Sequence, residues 1–262
     1  MMQVLVTNDD GVFAPGLSAI AVALQEAGCQ VTICAPDKNW SACGHVKTLT
    51  RPLRIFSVSL QNRIEAFACD GAPSDCVALA AMGALEREFD FVVSGINPNN
   101  NIGIDVTYSG TVTAAMEAGL NGLPGYAVSL DNQKEGAQAE ALKQGAKAAV
   151  KVIKQLHSLG VNNDQAHDLV WNINLPFKPE GNFLGVRFTT AGVRVYRDRM
   201  EKRHDPYGKP YFWICGDMPA GREEQGNEYE AIRQGYISVC PIRMNMTDTG
   251  ILESLKDAKL TL

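Results

Sequence analysis

The chain has 262 residues, 45% of them hydrophobic and 20% charged, and carries a net charge of −5. That size and balance suit a soluble globular protein built as one α/β domain or two small ones. The acidic balance excludes a broad electrostatic footprint for a nucleic-acid duplex or a membrane surface, but not a small phosphorylated substrate met by a metal or helix N-termini.

Val4-Leu-Val6 reads as a short buried strand, which Thr7-Asn-Asp-Asp-Gly11 breaks with turn residues. Pro15-Gly16 and a helical apolar spacing over residues 17–27 follow, so Asp9 and Asp10 stand between a strand and a helix. Ligands of open parallel sheets bind beyond the carboxyl ends of the strands. Adjacent carboxylates there repel each other unless a cation or a shared proton holds them. On this stretch alone the alternative is an Asx turn leading into a helix cap, with both groups solvated.

Residues 30–35 give a second strand, ending at Pro36-Asp37, and a polar loop with Asn39, Trp40, Ser41, Gly44 and His45 follows. Residues 64–68 have strand character, and Asp70-Gly-Ala-Pro73 is a turn. Ser74 is the expected N-cap of a helix through Val77, Leu79, Met82 and Leu85. Residues 91–94 form another short apolar strand. The segment from Gly95 to Asp105 is rich in asparagine and glycine, which build no core but offer many oxygens and amide donors. Tyr108-Ser-Gly-Thr111 opens a helix carrying Val112, Ala115, Met116 and Leu120; such a start is also a ready anion site.

Residues 126–130 are a strand, residues 133–157 a long amphipathic helix, and residues 169–173 a further strand. Lys143, Lys147, Lys151 and Lys154 recur at helical spacing and read as a solvated face. The alternation predicts a mainly parallel sheet covered by helices on both faces. From about Phe188 the pattern changes to two β-prone segments, 196–199 and 209–215, around a Gly- and Pro-containing turn. Residues 235–240 give one more strand, which Pro241 is expected to end, and Ile251, Leu252 and Leu255 mark a helical tail. The simplest account is one domain: a core over about 1–190 and 235–246, a hairpin arm over about 191–234, and a tail over 247–262. No apolar run approaches the roughly 20 residues of a bilayer span, and no basic segment leads an apolar one. The seven cysteines are odd in number and lack a CxxC pair, which points to core thiols in a reducing cytoplasm rather than a zinc site or a disulfide framework.

Three strand-end loops therefore carry oxygen-rich residues: Asp9-Asp10, Asn39 to Ser41, and Asn97 to Asn101. Carboxylates, a hydroxyl and an amide oxygen suit a hard divalent cation such as Mg²⁺ or Mn²⁺. With Ser109-Gly-Thr111 beside them to hold phosphate oxygens, this is equipment for metal-assisted phosphoryl chemistry. The first strand-to-helix turn lacks GxGxxG spacing, and its acidic pair would repel a pyrophosphate, which argues against a dinucleotide-dependent oxidoreductase.

Eight stretches stand out together: Asn8-Asp-Asp-Gly-Val-Phe-Ala-Pro-Gly16, Ala35-Pro-Asp-Lys-Asn-Trp-Ser41, Asp70-Gly-Ala-Pro-Ser-Asp-Cys76, Val93-Ser-Gly-Ile-Asn97 and Tyr108-Ser-Gly-Thr-Val112. They continue with Ala114-Ala-Met-Glu117, Asn172-Ile-Asn-Leu-Pro176 and Gly235-Tyr-Ile-Ser-Val239. In their order and content the chain resembles the SurE survival proteins, a family of metal-dependent 5′/3′-nucleotidases. The resemblance implies a Rossmann-like α/β core and a phosphomonoesterase acting on nucleoside monophosphates. It also implies one divalent ion per subunit, Mg²⁺ or Mn²⁺, ligated by Asp9, Asp10, Ser41 and Asn97. Ser109, Gly110 and Thr111 are then close to the phosphate, with Asn97 a further phosphate or substrate contact. For the mechanism, Asp9 and Asp10 are the candidate catalytic residues, to orient the attacking water or accept its proton. The hairpin and tail are implied to be exchanged in a homo-oligomer, a dimer or a tetramer. Two positions depart from the family pattern: Asn99 replaces a Gly, and Ile104 stands where an acidic residue is usual. They motivate the alternative of a nucleotide-binding regulatory module with little or no turnover.

Overall fold

The most apolar stretches of the chain become strands that share one sheet. The computed structural model describes residues 1–131, 138–161, 168–195, 198–216, 220–222 and 224–258. In chain order the strands are β1 (Gln3–Thr7), β2 (Gln30–Pro36), β3 (Ile55–Val58), β4 (Glu65–Cys69), β5 (Phe91–Asn97), β6 (Gly125–Leu130) and β7 (Leu169–Leu175). They continue with β8 (Val186–Phe188), β9 (Val193–Val195), β10 (Asp198–His204), β11 (Pro210–Gly216), β12 (Ala220–Arg222) and β13 (Ile237–Arg243). The helices are α1 (Pro15–Glu26), α2 (Pro73–Ala81), α3 (Gly110–Leu120), α4 (Gln138–Ser158), α5 (Glu228–Arg233) and α6 (Thr249–Ser254), with a 3₁₀ turn at Gly103–Thr107.

The main sheet runs β3-β4-β2-β1-β5-β6-β7-β13-β8. The six strands from β4 to β7 are mutually parallel, whereas β3 runs antiparallel to β4 and β13 antiparallel to β7. This is the mostly parallel, doubly covered sheet the alternation predicted. Every residue of β6 and β7 is buried, as central parallel strands covered on both faces require. On one face Val4 and Val6 pack with Leu17, Ile20 and Leu24 of α1 and Ile153 of α4. On the other, Leu5 and Val92 pack with Val77 of α2 and Ala114 and Ala118 of α3. Successive strands move from β1 to β2 and β4 on one side, then to β5, β6 and β7 on the other. The crevice between the ends of β1 and β5 is therefore the switch point at which such sheets hold ligands.

Several sequence expectations shift in detail. Ser74 does not cap α2; the cap is Ala72, Pro73 takes the first helical position, and the Ser74 hydroxyl donates to the Val46 carbonyl at 2.7 Å. The helix stops at Ala81, short of Leu85. Pro241 does not end its strand: β13 runs on to Arg243, with Pro241 opposite Trp171. The pairing with β8 stops at Val239, so beyond it no described strand pairs with that side of β13, and a missing N–H is tolerated there. The start of the long helix expected over residues 133–157 lies outside the described residues as far as 137, and α4 is helical from Gln138. Lys143, Lys147, Lys151 and Lys154 are exposed along it. The expected hairpin is present as β10 paired with β11, exposed along nearly its whole length; Tyr196 lies outside the described residues. No described helix is long and apolar enough to cross a membrane.

α1 can lie close to β5 only because Gly16 has no side chain. A Cβ there would stand 2.0 Å from the Ile96 carbonyl oxygen and 3.1 Å from its carbon. Gly16→Ala should therefore lower stability by about 3 kcal/mol through overpacking against backbone that cannot rotate away. Urea unfolding of the two proteins measures this, and an unchanged midpoint would show that the helix can slide outward freely.

Candidate active site

The loop after β1 is closed by its own residues. Asn8 accepts from the Gly11 N–H (3.1 Å) and donates to the Gly11 carbonyl (3.0 Å), an Asx-type turn. Gly11 has φ of +102°, which a side chain would strain. Val12 then donates to the Pro36 carbonyl at 2.8 Å, tying this loop to the one after β2. The turn aims Asp9 inward and Asp10 toward the crevice: Asp9 is 4% exposed and Asp10 is half-buried.

Asp9 meets the start of α3. The Thr111 hydroxyl donates to Asp9 Oδ1 at 2.6 Å. The backbone of Gly110 and Thr111 lies against the Asp9 carboxylate and also favours its charged form. Ser109 caps the helix, its Oγ accepting from the Val112 N–H at 3.1 Å. The sequence suggested a helix start open to an anion; here the anion it faces is a carboxylate of the same chain. Burial pushes the Asp9 carboxyl above its usual range, and the bonds from α3 offset only part of that. Asp10 is pushed up to about 6 by burial and then by the charge of Asp9.

The loop after β2 is joined to both carboxylate residues. Trp40 donates its N–H to the Asp9 carbonyl at 2.7 Å, and Asn39 Nδ2 lies 3.4 Å from Asp10 Oδ1. Asn39 also accepts from the Ser41 N–H at 2.8 Å, which sets Ser41, exposed, immediately beyond the point where the loop is pinned to Asp9. Asn97 ends β5, which lies between β1 and β6, and stands opposite Ser129 of β6. Its Nδ2 donates to the Asn99 carbonyl, so Oδ1 is the end it could offer to a ligand.

The fold thus brings Asp9, Gly110 and Thr111 into contact, sets Asp10 beside Asn39, and holds Ser41 and Asn97 on the loops flanking them. A cleft of about 460 Å³ opens beside Asp10, with Phe13, Lys38, Ile96, Pro98 and Leu142 on its walls. A larger groove of about 750 Å³ runs between α1 and α4 and is lined by neither Asp9 nor Asp10.

A divalent cation fits the donor chemistry. The two carboxylates have no ion-pair partner among the described residues, and each is pushed toward protonation by its surroundings. Among the described residues no three of His, Cys, Asp and Glu gather at one point. Any coordination shell here would combine the two carboxylates with neutral oxygens such as those of Ser41 and Asn97, a hard-ion set.

Residues to which the sequence assigned no site role hold these loops in place. Glu117, 2% exposed on the otherwise small and apolar α3, accepts from Lys47 Nζ and bonds His45 Nε2, each at 2.9 Å. Burial alone would raise its carboxyl, but bonds from His45, Lys47 and Asn121 prevail and hold it below its usual range. His45 is therefore engaged in fastening the Ser41 loop to α3. Cys43 belongs to the same loop, and its thiol is pushed up to about 11 by burial and then by the Asp9 charge. The signals available for Glu117 were its place in the family-matching stretch Ala114-Ala-Met-Glu117 and its charge inside an otherwise apolar helix.

The chain matches the family model described as survival protein SurE over residues 4–198. A curated relative from Chloroflexus aggregans, named 5′-nucleotidase SurE, is 43% identical over 255 residues, covering 97% of this chain and 98% of its own length. Another of the same name, from Herpetosiphon aurantiacus, is 40% identical over 260 residues, with 98% of each chain covered. The crystal structure of the SurE protein from Aquifex aeolicus superposes with a TM-score of 0.77 at 36% identity, covering 97% of this chain and 98% of that one. By sequence and by fold, the chain belongs to the SurE survival-protein family.

Proposed function

We propose that this chain is a 5′-nucleotidase, a phosphoric monoester hydrolase that releases phosphate from nucleoside 5′- and 3′-monophosphates with one divalent ion per subunit, Mg²⁺ or Mn²⁺. Family membership supports the nucleotidase reading. The observation that carries the metal is the Asp9–Asp10 pair, crowded at the switch point with no cation among the described residues to offset it. Asp9, Asp10, Ser41 and Asn97 would hold the ion. Once bound, it would polarise the phosphoryl group and lower the pKa of a coordinated water.

The rest of the task falls to the chain itself. Asp9 is locked by α3 and cannot swing, so its role is to hold charge in one place. Asp10 reaches solvent, and we assign it to orienting the attacking water and receiving its proton. Ser109, Gly110 and Thr111 border the phosphate, and the apolar walls of the cleft beside Asp10 suit the nucleoside. Exposed Tyr211, Phe212, Trp213 and Ile214 along β11 suit the hairpin to a contact between subunits. The net charge of −5 and the thiol-rich composition fit a cytoplasmic enzyme.

Phosphate release from AMP in the presence of Mn²⁺ tests the reading. EDTA should abolish release, and added Mn²⁺ or Mg²⁺ should restore it. Turnover that persists in EDTA would remove the metal from the account. Nucleotide binding by calorimetry without any release would favour a regulatory module, the view that Asn99 and Ile104 motivate.

A further inference from the structure

Glu228 opens α5, far along the chain from the crevice, yet it is fully buried. Every partner of its carboxylate among the hydrogen bonds described is a donor. Oε1 accepts from Asn172 Nδ2 (3.0 Å) and Asn174 Nδ2 (3.3 Å). Oε2 accepts from the Gly103 N–H (3.0 Å) and, at the long end, the Gly192 N–H (3.4 Å). Four donors around two oxygens are built for a carboxylate, which accepts without donating. Burial nonetheless pushes this carboxyl up to about 7, so the arrangement is costly unless it serves something.

What it holds is the segment that carries both halves of the site. Asn172 and Asn174 each donate to the Asn101 carbonyl as well, at 2.8 and 3.0 Å, and the Asn101 N–H donates to Asn174 Oδ1 at 3.0 Å. Asn101 Nδ2 reaches Ser129 Oγ at 2.9 Å, and Ser129 is the residue opposite Asn97. In the other direction Gly103 begins the 3₁₀ turn, and Asp105 in that turn accepts the Ser109 N–H at 3.1 Å, just ahead of α3. Residues 97–109 thus form one strap with Asn97 at one end and Ser109 at the other, gripped in the middle by Glu228. Gly192 brings in the segment leading to β9, which pairs with β12; a Cβ on Gly192 or Gly221 would stand 2.7 or 1.8 Å from the Tyr229 ring.

We propose that Glu228 is a positioning residue for the phosphatase reaction: it sets the strap from Asn97 to Ser109 and makes that setting depend on the packing of the β9–β12 arm. This rests on the metal-dependent nucleotidase reading above. Glu228→Gln puts an amide NH₂ against two donors, and the strap should lose its anchor while the sheet stays intact. At a temperature well below melting, with folding verified by circular dichroism, E228Q should bind Mn²⁺ alone about tenfold more weakly by calorimetry. At saturating Mn²⁺ its kcat for AMP should fall about tenfold or more, with KM changing less. Glu228→Asp, which keeps the carboxylate, should recover part of both losses. A purely structural role would lower the melting temperature and leave Mn²⁺ affinity and kcat untouched in the folded protein, and that result overturns the proposal. If E228Q does not fold, Asn174→Ala decides: it removes one donor to Glu228 and the acceptor for Asn101, and unaltered Mn²⁺ affinity and kcat in it overturn the proposal. An active wild type with unaltered variants sinks the positioning role alone, whereas an inactive wild type sinks the nucleotidase reading and this proposal with it.

Discussion

Asp9→Asn is expected to lower phosphate release from AMP by at least about 10³-fold while leaving the fold intact. The geometry explains why both halves should hold. Asparagine Oδ1 can still accept the Thr111 hydroxyl that Asp9 accepts at 2.6 Å, so the start of α3 keeps one of its bonds. What is lost is a full negative charge at a point 4% exposed, where charge interacts strongly with a bound cation and costs most without one. The sign follows from linkage. A carboxyl whose folded pKa is raised contributes stability at low pH and loses it as pH rises through that folded value. Burial raises Asp9 in this way, so near neutral pH the ionised group is a liability in metal-free protein. In EDTA, Asp9→Asn should therefore melt no lower than wild type, and the rise in melting temperature that Mn²⁺ gives the wild type should vanish. A variant that turns over AMP normally would remove Asp9 from the chemistry. One that is inactive but still stabilised by Mn²⁺ would confine its role to a later step than metal binding.

The parts of this site that were legible in the sequence are those written within a few residues. The turn signals of Asn8 and Gly11 end β1 and present Asp9 and Asp10, and Ser109 caps α3 as its place before a small-residue helix suggests. Alternating apolar strands and helices gave the parallel sheet, and with it the crevice where those loops meet. What could not be read locally are contacts between distant stretches. Thr111 reaches Asp9 across 102 positions, Lys47 reaches Glu117 across 70, and Gly103 reaches Glu228 across 125. Each depends on which strands become neighbours, and spacing within a segment carries no information about that. Asn172 and Asn174 left a faint trace: two amides at period two inside an apolar strand demand buried partners, though nothing nearby says which. Pro241 misled because its missing N–H ends a strand only where a partner needs that donor.

Gly110→Ala should be the second severe lesion, and it runs against helix propensity. Alanine is preferred to glycine within helices by about 1 kcal/mol, so on propensity alone the change should be neutral or stabilising. The start of α3, however, is seated directly on Asp9. A Cβ at Gly110 would stand 2.7 Å from Asp9 Cβ, 3.0 Å from Asp9 Oδ2 and 3.0 Å from Cys43 Sγ. Cys43 belongs to a loop and can give way. Asp9 stands two residues beyond the buried end of β1, behind the Asn8 turn, and its carbonyl is fastened by the Trp40 N–H, so the helix start has to retreat instead. Retreat stretches the bonds from Thr111 and moves Ser109, Gly110 and Thr111 away from the phosphate. Misplacement on the scale of an ångström costs about 10²-fold in rate, and that loss in kcat for AMP is the expected result, with only a modest fall in melting temperature. Cys43→Ala separates the two contacts: by itself it should leave turnover nearly unchanged, and combined with Gly110→Ala it should not restore it, because the Asp9 clash remains. If the double variant recovers wild-type kcat, the thiol rather than the carboxylate is what demands glycine at this helix start, and α3 is not seated on Asp9 as tightly as the contacts indicate.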